Sequence, residues 1–228
     1  METVMETIID NLSCRVLLLR ELISTKELET IKQQIKSTNP KYIKVRRPLF
    51  AKKGKGRVIR KTIWWGPGDY VYSGSKNEPL PEPHPAVVAL SQRLAREVSE
   101  IVGVQVYLPA YLINIYDDGN NDIGPHADDE KVLGRYPTIV SLSIGATRTF
   151  VLKRMTELQR EKQCKDRGWD FVPNSSCKCE KHEIKLGHGD ILIMAGATQE
   201  HFHHSVPEEK EIKEERINIT FRPHISVD

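Results

Sequence analysis

The stretch "YLINIYDDGNNDIGPHADDE", residues 111–130, holds His126 and Asp128 two positions apart. On an extended backbone, side chains at i and i+2 turn to the same side. A histidine and a carboxylate so placed, joined by a distant second histidine, supply the 2-His-1-carboxylate triad that leaves positions on Fe(II) open for a co-substrate and O2. The second histidine has to come from a later strand. "QEHFHHSVP" offers His201, His203 and His204, and spacing alone does not choose among them.

The segment "RINITFRP" alternates two chemistries: Arg216, Asn218, Thr220 and Arg222 on one face, Ile217, Ile219 and Phe221 on the other. Iron held by one aspartate and two neutral histidines does not neutralise a dicarboxylate, and burying the excess negative charge without cations is prohibitive. Two guanidiniums offset it and grip carboxylates with fork geometry. Arg216 and Arg222 are about 20 Å apart along a strand at the usual rise, and long arms folded inward narrow that gap to the length of a five-carbon diacid. Asn114 and Tyr116, again at i and i+2, add neutral donors on a neighbouring strand. The polar face is expected to look into a pocket.

The elements that must carry these residues can be read more coarsely. "STKELETIKQQIK" offers Ser24 as N-cap with Glu27 three residues on, and Leu28, Ile31 and Ile35 on one helical face. A second helix starts at Pro85, keeps Val87, Leu90, Leu94, Val98 and Ile101 in period, and closes at Gly103. Strand signals then dominate: "VQVYLPAYLINIY", "TIVSLSIG", "RTFVLKR", "DILIMAG" and "RINITFR". Helices first and short strands afterwards predict an α+β chain whose second half is a sandwich or jelly roll. Met155 to Lys185 interrupts the strands, long enough to be functional, metal-clipped or mobile.

With 39% apolar and 29% charged residues, the composition is that of a soluble globular protein. The start, "METVMETIID", lacks the layout of a signal peptide, and no apolar run is long enough to cross a bilayer. Four cysteines without a secretory signal point to a reducing, intracellular setting, nucleus or cytoplasm, with no membrane attachment. The net charge of +3 is unevenly spread. Residues 41–61 contain ten Lys or Arg and no acid, and removing them leaves the rest at −7. Tyr42, Phe50, Trp64 and Trp65 lie in or beside that segment, so it offers phosphate contacts together with surfaces for base stacking.

In order along the chain, "NIY", "HAD", "HHS" and "RINITFR" together resemble the AlkB-like family of Fe(II)- and 2-oxoglutarate-dependent nucleic-acid demethylases. "RRPLF", "RKTIWWG" and "YVYSG" are most similar to its duplex-DNA-repair branch. The resemblance implies one domain over residues 1–228: N-terminal helices and nucleotide-recognition hairpins to 105, then a double-stranded β-helix core over 106–225 interrupted at about 155–185. It assigns iron to His126, Asp128 and His204. It gives the distal carboxylate of 2-oxoglutarate to Arg216, Asn114 and Tyr116, and the end near iron to Arg222 with Asn218 and Thr220. It implies substrate contacts at Phe50 (a wedge on the basic hairpin), Arg60, Tyr70, Tyr72, Asp129 and Glu130.

The implied reaction oxidises N-methyl groups of 1-methyladenine or 3-methylcytosine in DNA or RNA, with release of formaldehyde, by a monomer. Cys164, Cys177, Cys179 and His182 could make a structural zinc clip, although their spacing lacks the usual paired opening. Two other functions fit parts of the sequence. A 2-oxoglutarate oxygenase acting on a protein or small molecule would not need the basic arm. A catalytically silent nucleic-acid-binding module would show salt-dependent binding without succinate release.

Overall fold

The computed structural model describes residues 3–11, 14–38, 41–43, 60–72, 75–173 and 180–225. Phe50, Cys177, Cys179 and most of the basic segment lie outside them.

The chain opens with strands rather than a helix: β1 (Val4–Asn11) pairs antiparallel with β2 (Cys14–Arg20). In β2, Leu17 and Leu19 pack into one apolar core while Val16 and Leu18 pack into another. A strand covered on both faces loses its alternation, so its apolar run cannot be told from a buried helix by periodicity. The sequence reading therefore assigned no strand there and took the helix from Ser24 as its first element.

Helix α1 (Thr25–Ser37) begins where Ser24 Oγ accepts from the Glu27 N–H, and it buries Leu28, Ile31 and Ile35. Strands β3 (Lys41–Ile43) and β4 (Arg60–Trp65) flank the basic segment and pair antiparallel, with Ile43 opposite Arg60. β5 (Tyr70–Tyr72) and β6 (Ser75–Asn77) form a separate two-stranded ribbon. Helix α2 (Pro85–Val102) buries Val87, Leu90, Leu94 and Val98, and Gly103 closes it in the left-handed region at φ 76°.

The second half follows as β7 (Ala110–Tyr116), β8 (Ile123–His126), β9 (Ile139–Gly145), β10 (Arg148–Arg154), α3 (Glu157–Arg167), β11 (Lys181–Leu186), β12 (Ile191–Gly196), α4 (Thr198–His201), β13 (Phe202–Val206) and β14 (Arg216–Arg222). The larger sheet runs β1-β2-β12-β9-β14-β7-β4-β3 and the smaller β11-β10-β13-β8, all by antiparallel pairs. One core fills the space between α1, α2 and the larger sheet; the second lies between the two sheets. This layering is consistent with a jelly-roll core.

Among the described residues, the interruption after β10 holds helix α3. Thr156 and Gln159 form a capping box for α3, a signature already present in the sequence, and Gly168 ends the helix.

The loop before β14 is pinned by charge. Glu209 accepts from Arg148 Nε (3.1 Å), Thr149 N (2.8 Å), Thr149 Oγ1 (2.6 Å) and Lys185 Nζ (2.9 Å). Gly119 exchanges backbone hydrogen bonds with Glu209 and Ile212, and a Cβ there would lie 1.6 Å from the Glu209 carbonyl oxygen. Burial opposes the Glu209 charge, but the hydrogen bonds from Lys185, Thr149 and Arg148 outweigh it and bring its carboxyl down to about 2. A folded pKa below the unfolded one stabilises fully above the ordinary glutamate range, and that stabilisation is lost as pH falls toward the folded value. In urea unfolding at a series of pH values, wild type should lose its advantage over Glu209→Gln as pH drops below about 4.5. A gap that stays constant with pH would refute this.

Candidate metal and co-substrate site

β14 lies between β7 and β9, and its two faces part as the alternation requires. Ile217, Ile219 and Phe221 enter the helix-side core; Arg216, Asn218, Thr220 and Arg222 line a cavity between the sheets. On β7, Asn114 and Tyr116 line the same cavity, because the register sets Asn114 opposite Asn218 and Tyr116 opposite Arg216.

Strand pairing also assembles the ligand group. β8 and β13 place His126 directly opposite His204, with ring centroids 4.2 Å apart. Asp128 follows β8, its Oδ1 4.0 Å from His126 Nε2 and its Oδ2 3.9 Å from His204 Nε2. One ligand atom from each of the three lies within 4.8 Å of the others. Such a set could hold one metal ion. Alternation along β13 separates the candidate histidines: His204 is buried in the cavity wall, while His203 is half-exposed and His201 belongs to α4. Among the described residues this is the group of histidines and carboxylates arranged to hold a metal.

The protonation states suit that use. His126 Nδ1 lies 2.9 Å from the Gly124 carbonyl, so Nδ1–H donates and Nε2 carries the lone pair toward Asp128. Burial lowers both imidazole pKa values; His204, with His126 adding to the effect, is pushed down to about 3. Neutral imidazole is the ligand form. Burial works against the Asp128 charge, but Arg222 outweighs it and, with the two histidines, holds the carboxyl below its usual range.

Arg222 donates from Nη2 to Asp128 Oδ1 at 2.8 Å and from Nη1 to Glu130 Oε1 at 3.3 Å. Arg216, 1% exposed, donates from Nη2 to Ser143 Oγ at 2.9 Å, and its guanidinium carbon stands 5.3 Å from the Tyr116 ring centre. Its Nε and Nη1 are buried without a hydrogen-bond partner among the described residues. Open donors on a buried cation at a cavity wall fit a ligand carboxylate, which would satisfy both the charge and the hydrogen bonds. Asn218 donates to Ser141 Oγ and to the Leu142 carbonyl, tying β14 to β9 beside the cavity, and accepts from Thr220 on its own strand.

The sequence reading missed Ser141 and Ser143, although both alternate with Val140, Leu142 and Ile144 in "TIVSLSIG", the same period that exposed β14. It also missed Gln199, whose Oε1 accepts the Asp128 N–H at 2.9 Å and which no pattern marks.

Two expected substrate contacts are engaged within the fold. Arg60 is fully buried, and its Nε donates to Asn114 Oδ1 at 2.7 Å. Asp129 turns its carboxylate to Gln163 Nε2 (2.9 Å) and Arg167 Nη2 (2.6 Å) on α3. Tyr70 and Glu130 do share a cleft of about 470 Å³ with Trp64, Leu133, Arg222 and His224. Tyr70 packs on Trp64 at 5.5 Å between ring centres, and the backbone of Tyr72 falls on the same strand as Tyr70. Of the four zinc-clip residues, Cys164 is buried on α3 and His182 Nε2 lies 2.7 Å from Glu180 Oε1.

The paired histidines, the aspartate between them and a buried arginine facing the same cavity define an iron- and 2-oxoglutarate-type oxygenase site. The family model of the 2OG-Fe(II) oxygenase superfamily matches residues 15–222, and the chain belongs to that superfamily. Within it, the chain is 37% identical over 163 residues to human alpha-ketoglutarate-dependent dioxygenase alkB homolog 3, covering 72% of this chain and 51% of that protein. It is 32% identical over 165 residues to human DNA oxidative demethylase ALKBH2, covering 72% of this chain and 56% of the relative. The chain thus spans about half the length of the curated relatives it matches. The solved structure of OsALKBH1 superposes with a TM-score of 0.57 at 15% identity, over 96% of this chain and all of that one, a likeness of fold.

Proposed function

We propose that the chain is an oxidative demethylase that removes N-methyl groups, of the 1-methyladenine and 3-methylcytosine type, from DNA or RNA. It would act as a monomer inside the cell, in nucleus or cytoplasm. The observation that carries this reading is the convergence of His126, Asp128 and His204 beside the open donors of Arg216. The names of the relatives, a dioxygenase and a DNA oxidative demethylase, support it.

His126, Asp128 and His204 would hold Fe(II), and Arg216 with Asn114 and Tyr116 would hold the far carboxylate of 2-oxoglutarate. Arg222, with Asn218 and Thr220, would take the end near the metal. When bound, iron with 2-oxoglutarate and O2 supplies the oxidation that hydroxylates the N-methyl carbon, which leaves as formaldehyde alongside succinate and CO2. The chain's own groups position and exclude. Arg60 keeps the Asn114 oxygen engaged, leaving its amide nitrogen to face the cavity. Trp64 and Tyr70 give the neighbouring cleft flat walls against which a base taken out of its stack can lie, and Tyr72 would stack on that base.

Glu130 is the carboxylate left for recognition, since Asp129 is engaged by α3. Burial raises the pKa of Glu130 despite Arg222. A cationic methylated ring beside it would favour its ionised form, and that attraction favours 1-methyladenine and 3-methylcytosine over neutral bases. The basic 41–61 arm, with Phe50 as wedge, would contact phosphates.

Methylated DNA and RNA oligonucleotides, single and double stranded, incubated with iron and 2-oxoglutarate should lose the methyl group by mass spectrometry. His126→Ala should abolish that loss. Glu130→Gln should raise KM for the cationic lesion by about tenfold, one charge interaction's worth, and leave succinate formation without nucleic acid intact. Removing charge from 41–61 without slowing turnover would instead identify an oxygenase of proteins or small molecules. Zinc analysis of the purified protein tests the clip at Cys164, Cys177, Cys179 and His182.

A further inference from the structure

Helix α3 buries Arg160, Gln163 and Cys164, so it docks mainly through polar side chains. Apolar contacts would suffice to hold a helix down, whereas hydrogen bonds fix its orientation. Those bonds run to both segments that carry the metal ligands. Gln163 Nε2 donates to Asp129 Oδ2 at 2.9 Å and to the Gln199 carbonyl at 3.0 Å. Gln199 in turn accepts the Asp128 N–H through Oε1, which closes a ring of hydrogen bonds through Asp128, Asp129, Gln163 and Gln199. Arg167 grips the other Asp129 oxygen at 2.6 Å. Next to Gln199, the buried Glu200 is held by Arg135 at 2.9 Å and by Arg160 at 3.5 Å. α4 passes directly into β13, which carries His204.

We propose that α3 is a positioning element of the metal site: Gln163 and Arg167 clamp Asp129 and so fix Asp128 relative to His204. This rests on the reading of His126, Asp128 and His204 as ligands of a divalent ion. Partners of this kind orient ligand side chains, and their loss typically weakens metal affinity by about 10–100-fold.

The test is Co(II) binding to the full chain, followed by the visible absorption of the bound ion. Gln163→Leu and Arg167→Ala should each raise the Co(II) Kd by about tenfold, and Arg167→Lys should recover part of that loss. Lys162→Ala, on the outer face of α3 where Lys162 pairs with Asp166, should change nothing. Arg167 is a third exposed at the end of the helix, so its replacement should leave the unfolding midpoint of the metal-free chain in place. A purely structural helix would move that midpoint and not the Kd. Wild type binding Co(II) while both variants stay within about twofold of it would overturn the proposal, and if Gln163→Leu fails to fold, Arg167→Ala decides alone. Wild type that binds no Co(II), or binds it no better than His126→Ala, overturns the metal reading itself.

Discussion

Arg216→Met should make the protein more stable in the absence of 2-oxoglutarate and raise the KM for 2-oxoglutarate by about 100-fold. The two effects share one cause. Arg216 is 1% exposed, and its Nε and Nη1 find no partner among the described residues. Burial disfavours its charge enough to pull its pKa below the usual arginine value. An apolar side chain of similar length removes the desolvation cost of that uncompensated charge. A carboxylate bound there supplies the missing charge and acceptors, and truncating one partner of such a pair costs about 2–5 kcal/mol of binding. A loss of about 2.7 kcal/mol, in the lower part of that range, is roughly 100-fold in affinity.

A thermal-shift titration gives a second readout. At 100 times Kd, 2-oxoglutarate should stabilise wild type by about 2.7 kcal/mol and the variant hardly at all. A variant that unfolds more easily than wild type, or that still binds 2-oxoglutarate at the wild-type Kd, would show that Arg216 serves the fold.

Asp128→Ala is expected to eliminate both the proposed demethylation and succinate release, a loss larger than the about 100-fold upper range for residues that only orient a ligand. It should also destabilise the metal-free chain by about 3 kcal/mol, because removing one partner of a buried pair strands the other. The stranded group is Arg222, 3% exposed, with Asp128 at 2.8 Å and Glu130 at 3.3 Å. Urea unfolding of Asp128→Ala, Arg222→Met and the double variant separates the contributions. The double variant should regain most of the stability while remaining inactive. If Asp128→Ala alone is as stable as wild type, Glu130 suffices as counter-ion for Arg222.

Much of this site was legible because it is built on strands. A period of two is visible wherever one face is apolar and the other polar, as in β14, and it showed which residues share a face without showing what that face meets. The helices at 25–37 and 85–102 were readable from Ser24, Pro85 and Gly103, which act locally. Where a strand is buried on both faces, as in β2, the alternation vanished and the reading failed.

The partners of Asp129 and Arg60 were not legible for a different reason. Each is a charged residue beside a motif, and a sequence cannot say whether such a charge faces the substrate or a neighbour. Arg167 lies 38 residues from Asp129 and Arg60 lies 54 from Asn114. No spacing rule spans such distances.

Residue types and short spacings by themselves determined the chemistry: which side chains could bind a ferrous ion, which could neutralise a diacid, and that the positive charge sits in one arm. The resemblance of "HHS" had named His204, and the structure sets it opposite His126; only the tertiary structure decided that Arg216 is buried with open donors and that α3 holds Asp129. Those outcomes depend on strand register and packing between distant segments, which are set by the whole folded chain.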